Sequence, residues 1–335
     1  MAELLLELYS EEIPPKLQIS ARNQLKLFVK KSFDEKSLKY KDIKIFSSPT
    51  RLILNITDLP EKIKILSKEI KGPKVDSPDN ILESFIKAKN ITKEDLFEKN
   101  TDKGNFYFIK TREKNILVED LLKEILLKSL ASISWKKSMK WSDYNLMWGR
   151  PLRSILALFN NKKLSFKFDH LETTDNIILE QDLSSKSKKI KNFKDYNVFL
   201  KSNKIIIDHN EREKIILKRI SSISKSRNYK EVLNSQLLEE VVNIVEEPNV
   251  LLISFDKKYL KIPQEIIIST LEKNQRYFPV FDTNEVLTNH FFVVANKKDE
   301  KKLITEGNKR VVEARLSDAK FFWDKDRSRN LIKQI

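Results

Sequence analysis

Glycine is the residue this chain almost lacks. Four are present in 335 residues, Gly72, Gly104, Gly149 and Gly307, and no two stand close together. A loop that wraps a phosphate needs neighbouring positions without a Cβ, so neither a Walker A loop nor a dinucleotide-binding fingerprint can be built here. Other routes to chemistry are closed as well. There is no cysteine, which removes disulfides and thiolate metal sites and fits a cytoplasmic protein. The histidines His170, His209 and His290 are isolated, without HExxH or comparable ligand spacing. No GxSxG elbow occurs. Carboxylate pairs such as Glu11-Glu12 and Glu239-Glu240 are what 48 acidic residues yield by chance. Glu246-Glu247-Pro248 reads as a helix end rather than an acid–base pair. No catalytic residue and no metal ligand is assigned.

The length exceeds one compact core, and 40% apolar content supports two or three domains rather than disorder. No apolar run approaches the roughly 18 residues of a membrane span. The opening MAELLLELYSEEIPP has no basic leader and carries Glu3 and Glu7 inside its apolar run, so it reads as a buried strand rather than a signal peptide. The net charge of +16 favours a polyanionic partner. The Lys, Ile and Asn bias of an AT-rich genome accounts for the same charge.

The expected fold class is α+β and multidomain, with mixed sheets and packed helices. Residues 1–171 form a first α+β region, in which two modules with a break near 72–80 are one option. Leu4 to Tyr9 is a strand ended by Pro14-Pro15. Leu17, Ala21, Leu25 and Phe28 give a helix from Lys16 to Phe33. Ile43 to Phe46 and Leu52 to Thr57 are strands around SSPTR, and Lys62 to Ile70 is a candidate third strand. Thr92 and Asp95 suit a capping box on a short helical piece. Val118 to Ile133 is a helix with Leu121, Leu122, Ile125, Leu126 and Leu130 on one side. Residues 172–192, with Ser/Lys-rich SSKSKKIK, read as a linker. Residues 193–335 form a second α+β region, with a helix expected from Ile262 to Leu271 and a long helix from about Asn308. In that last helix Arg315 falls inside the apolar arc, where a buried guanidinium needs a partner. Asp318 is one candidate and a partner surface is the other. The chain stops in or just after this helix, which suggests a piece of a longer protein.

Three clusters have the composition of an RNA surface. Trp135, Lys136, Lys137, Lys140, Trp141, Trp148, Arg150 and Arg153 combine indoles that stack on bases with cations that neutralise phosphates; the same tryptophans equally suit a core. Lys273, Asn274, Gln275, Arg276 and Tyr277 link two apolar segments. Lys297, Lys298, Lys301 and Lys302 read as a solvated loop.

Several stretches resemble the beta subunit of the two-subunit bacterial glycyl-tRNA synthetase. LLLELYSEEIPPK is similar to that family's opening strand and Glu-Glu-Leu-Pro-Pro turn. SSPTRLIL resembles its Thr-Pro-Arg-Arg-Leu segment, retaining Arg51. Lys71-Gly72-Pro73 resembles its Gly-Pro element. MKWSDYNLMWGRPLR resembles its Met-Arg-Trp-Gly stretch and following Arg-Pro-x-Arg. NQRYFPVFD and RLSDAKFFWDKD are the most specific. Ser142 stands where the family usually has glycine, and TTDNIILEQ lacks a usual Gly-His-Arg-Phe element. The resemblance implies an α2β2 ligase that joins glycine to its tRNA using ATP and Mg, with the catalytic core on the alpha subunit. It implies that this chain binds no cofactor, docks the alpha subunit and contacts glycine tRNA in the cytoplasm, without a membrane. The last helix would lead into an HD-like helical domain. With the basic clusters, the candidates for tRNA contact or the subunit interface are Arg51, Lys71, Lys140, Trp141, Arg150, Arg153, Lys273, Asn274, Arg276, Tyr277 and Arg315. The alternative is a stand-alone RNA-binding module.

Overall fold

The computed structural model describes residues 2–65, 69–110, 114–181 and 184–328. The opening strand, Ala2–Ser10, is buried along nearly its whole length. Leu4, Leu6 and Leu8 face one core and Leu5 another. Both faces of the strand are covered, and this is why LLLEL shows no apolar/polar alternation. Pro15 then takes the first position of α1 (Pro15–Glu35), where a missing N–H costs nothing and the fixed φ suits a helix. Leu17, Ala21, Leu25, Val29 and Phe33 are buried along one side of it. Strands Asp42–Ser48 and Arg51–Leu59 follow as an antiparallel pair.

After Leu59 the chain leaves this sheet along a two-stranded ribbon, Lys62–Ile65 against Lys114–Leu117. Beyond the ribbon is a three-stranded antiparallel sheet with Gly104–Lys110 between Glu69–Lys74 and Leu96–Thr101. The segment read as one strand from Lys62 to Ile70 is therefore divided between ribbon and inserted sheet. α2 (Asp79–Lys89) packs on this sheet. The helical piece near Thr92 is a single 3-10 turn, Lys93–Asp95, and its capping box forms, with Asp95 Oδ2 accepting from the Thr92 N–H at 2.9 Å.

The return brings α3 (Val118–Ser132), with Val118, Leu121, Leu122, Ile125, Leu126 and Leu130 buried, and then strand Leu152–Phe159. That strand pairs antiparallel with Ala2–Ser10 on the side opposite Arg51–Leu59. The order 152–159, 2–10, 51–59, 42–48 is that of a split β-α-β, ferredoxin-like unit, with the ribbon and its sheet inserted before the second helix. α1 and α3 share a core over one face. The other face is covered by a hairpin, Asn176–Gln181 with Ser184–Lys189, and by α4 (Phe193–Ser202). The Ser/Lys-rich segment is thus a strand. Ile177 and Leu179 on its partner enter the core, while Lys186, Lys188 and Lys189 are exposed along a charged edge.

The second region centres on a four-stranded sheet in the order Tyr229–Lys230, Phe278–Asp282, Leu287–Ala295, Asn249–Ser254. α5 (His209–Arg227) and α6 (Ser235–Val242) pack over one face. α7 (Gln264–Ser269), a π turn at Thr270–Gln275, and α8 (Leu303–Ser328) cover the other. The architecture is α+β with mixed sheets and a long last helix. In α8 only Val312 and Leu316 are buried. Arg315 is exposed and forms no ion pair with Asp318 among the described residues. This corrects the expectation of a buried guanidinium: the helix meets the sheet over little more than one turn, so its buried stripe is narrower than its apolar arc. No helix among the described residues is long and apolar enough to cross a membrane.

The two regions meet through buried polar groups. Arg212 on α5, 0% exposed, donates to the carbonyls of Val242 and Ser47 at 2.9 Å each and of Ile206 at 2.5 Å. Arg22 donates to Asn243 Oδ1 at 2.8 Å, and Gln18 to Asn243 O at 2.7 Å. Burial holds both guanidinium groups down at about 10. These bonds fix the second region against α1 and strand Asp42–Ser48.

Candidate nucleic-acid interface

Turns far apart in sequence converge at one end of the first sheet. The Glu11 N–H donates to Pro151 O at 3.0 Å, Ser10 N–H to Thr50 O at 2.9 Å and Ile13 N–H to Pro49 O at 2.6 Å. The EEIPP turn, the SPTR turn and the RPLR segment are thereby stitched together. The Arg153 guanidinium lies 3.0 Å from Glu11 and also pairs with Glu180 on the hairpin. Glu240 on α6 stands 3.4 Å from both Lys16 Nζ and Arg276 Nε, which brings the π turn to the same end.

Next to this junction lies the loop between α3 and strand Leu152–Phe159. Met139 and Trp148 close its neck by a two-bond bridge. The indoles divide into two groups. Trp148 is 2% exposed and packs against Trp135 at 4.9 Å and Phe168 at 5.8 Å. Gly149 permits that packing, since a Cβ there would lie 2.4 Å from the Trp135 ring. Trp141, at the tip, is only half-buried, 5.8 Å from the His170 ring. Tyr144 stacks against the same His170, at 3.5 Å. Tyr144 and Met147 remain 41% and 48% exposed. Around them Lys136, Lys137 and Lys140 are exposed, and Arg150 is half-buried with Nη1 on the Gly149 carbonyl at 2.7 Å. Among the described residues none of these four cations has a carboxylate partner. The loop therefore presents uncompensated positive charge beside partly exposed rings, held rigid by a packed base.

The sequence profile described as glycyl-tRNA synthetase beta subunit matches residues 4–335. The chain belongs to the glycyl-tRNA synthetase beta subunit family. It is 35% identical over 333 residues to the glycine–tRNA ligase beta subunit of Rickettsia peacockii (strain Rustic), and 36% identical over 336 residues to that of Rickettsia canadensis (strain McKiel). Each match covers 99% of this chain and 50% of the relative, so the chain spans about half the length of these curated relatives.

The departures from the family pattern acquire a physical meaning here. Ser142, where the family usually has glycine, sits at φ +50°, in the left-handed region that glycine adopts without strain. Of TTDNIILEQ, Thr173 and Thr174 extend the first sheet by pairing parallel with Ile155 and Leu156, Asn176–Gln181 is a strand of the hairpin that covers it, and Glu180 anchors Arg153.

The candidate residues sort by what already neutralises them. Arg51 is 1% exposed; it donates to Glu7 Oε2 at 2.7 Å and to the Ile178 carbonyl at 2.5 Å, and lies 4.4 Å over the Tyr9 ring. Burial works against its charge, but Glu7, Tyr196 and Glu246 together outweigh this and hold the guanidinium above its ordinary range. Its role in this arrangement is inside the fold. Burial likewise works against the charge of Arg153, and Glu11, Glu180 and the Tyr9 hydroxyl together hold it above its ordinary range. Arg276, at φ +57°, caps the π turn and faces Glu240. Lys273 and Asn274 are exposed on that turn. Tyr277 stacks on Phe291 at 5.3 Å and donates its hydroxyl to Asn308. Lys71 lies on the inserted sheet and Arg315 on α8, each on an element apart from the tryptophan loop. Lys140, Trp141 and Arg150 are therefore the candidates that the structure gathers on one loop. Tyr144 and His170 join them across 26 positions of sequence, a contact no local pattern signals.

Proposed function

We propose that this chain is the tRNA-gripping and subunit-docking part of a glycine–tRNA ligase, working in the cytoplasm in an α2β2 assembly whose alpha subunit binds ATP and Mg and makes the ester bond. What carries the reading is the tryptophan loop, with Lys136, Lys137, Lys140 and Arg150 unpaired beside Trp141 and Tyr144, in a chain of this family. Cations of that kind hold phosphates and set the register of the RNA without reading sequence. Binding energy gathered here, away from the chemistry, positions the 3′ end in the other subunit's site. The test is aminoacylation with separated subunits. The beta protein alone is expected to show no glycine-dependent ATP–pyrophosphate exchange, and charging is expected only when the alpha subunit is added. Exchange by the beta protein alone would overturn the assignment.

A further inference from the structure

The inserted sheet has two unlike faces. Along its central strand Tyr107 and Ile109 point one way and Phe106 and Phe108 the other. α2 lies on the Tyr107 side, where a Cβ on Gly72 would meet Phe85 at 3.0 Å. The opposite face carries Phe97 cross-strand from Phe108, Lys71 on the other flank of Phe108, and Lys99 and Lys74 on the two flanks of Phe106. Phe97 and Phe106 are half-buried and the three lysines are exposed. Their ammonium groups rest on the rings, Lys71 at 3.3 Å from the Phe106 centroid and Lys99 at 5.6 Å from that of Phe108. Among the described residues one carboxylate shares this face: Glu69, 2.6 Å from Lys99.

We propose that this face binds a single-stranded segment of RNA, with bases stacked on Phe106 and Phe97 and phosphates held by Lys71, Lys74 and Lys99. The inference rests on the reading of the chain as a tRNA-binding subunit and adds a second surface to it. Phe106 on the central strand and Phe97 on the strand beside it are partly exposed on one face, next to buried Phe108, and aromatic rings set on one face of a sheet in this way are how RNA-recognition sheets stack bases. The charge on the face is complementary to a phosphate backbone. A lysine stem lying over a ring is also a common way to shield it, and an exposed ammonium on a flexible four-carbon stem can swing aside. When a base takes the ring face, the displaced ammonium is left beside the phosphate of the same nucleotide. The ribbon Lys62–Ile65 with Lys114–Leu117 carries the platform away from the first sheet.

The test uses the whole protein and a short oligo(U) RNA carrying one 2-aminopurine, whose fluorescence reports stacking. The parent protein is expected to bind the oligonucleotide and to change its fluorescence. Phe106→Ala is expected to weaken binding about thirtyfold, the middle of the range for loss of one stacked base, and Phe106→Trp to retain it. Lys71→Ala and Lys99→Ala, which leave the rings in place, are expected each to lower the salt slope by about one phosphate contact. If the parent does not bind, or if all these variants bind like the parent, the inference fails. It also fails if they lose a protein partner, such as the alpha subunit, while RNA binding stays intact. Lys140→Ala with Arg150→Ala is measured alongside with intact tRNA. Loss there, with no effect of the inserted-sheet variants, would leave the tryptophan-loop reading standing and remove only this one.

Discussion

Arg51 and Glu7 are the clearest case of charges that serve the fold. Both are about 1% exposed, and Glu7 Oε2 also accepts from the buried Tyr196 hydroxyl. Removing one partner strands the other in a low-dielectric interior. Arg51→Met is therefore expected to cost about 3–5 kcal/mol in urea unfolding, with no change in the salt slope of tRNA binding. A loss below about 1 kcal/mol would mean the pair is solvated. The sequence marked Arg51 as a candidate contact but concealed its burial, because its partner lies 44 residues away on another strand. His209 offers a pH-dependent counterpart. Burial, reinforced by Arg22, holds its ring at about 4, below the ordinary 6.5. The folded state therefore keeps His209 neutral while the unfolded chain takes up a proton. Stability is full above about pH 6.5 and is lost progressively as pH falls toward about 4. His209→Gln is expected to remove roughly 2 kcal/mol of that pH dependence, after allowance for solvent at the rim of the cleft it lines. Urea midpoints near pH 7 and near pH 4.5, compared with the parent, measure it; identical pH dependence in both proteins would refute the shift.

Among the elements, the tryptophan loop shows how one chemistry divides between packing and contact. Trp135 and Trp148 form the base, and Trp141 with Tyr144 the tip. Gly149→Ala drives a Cβ to 2.4 Å from the Trp135 ring. It is expected to destabilise by about 1–3 kcal/mol and to change the tryptophan emission of the folded state. An unchanged spectrum and stability would show that the base is looser than described. Helices α1 and α3 were legible in sequence because each buries one face against one sheet, so the period of 3.6 survives. The strand Ser184–Lys189 was not, since its exposed edge is polar and the apolar residues that fix it, Ile177 and Leu179, lie on its partner. The π turn at Thr270–Gln275 was hidden for another reason. Its sequence continues a helical pattern, and only the left-handed Arg276 ends it.

At the scale of the molecule, the ferredoxin-like unit is interrupted by an inserted sheet on a ribbon whose two ends adjoin: the Val118 N–H donates to Glu61 O at 3.0 Å. Replacing residues 62–117 with a short turn is expected to leave a cooperatively unfolding protein, checked by a circular-dichroism melt. Loss of the transition would show that the insert is part of the first core. The basic and aromatic content of the candidate interface could be read from sequence. Which cations are free could not, because Glu11, Glu180 and Glu240 reach Arg153 and Arg276 only through the tertiary fold. The proposed grip on tRNA falls to the free ones. The most direct test is the salt dependence of glycine tRNA binding by the protein, before and after Lys136, Lys137, Lys140 and Arg150 are changed to alanine. The slope of log affinity against log salt is expected to become shallower by about one unit for each phosphate that the variant no longer neutralises; parallel lines of equal affinity would contradict a tRNA grip at this loop.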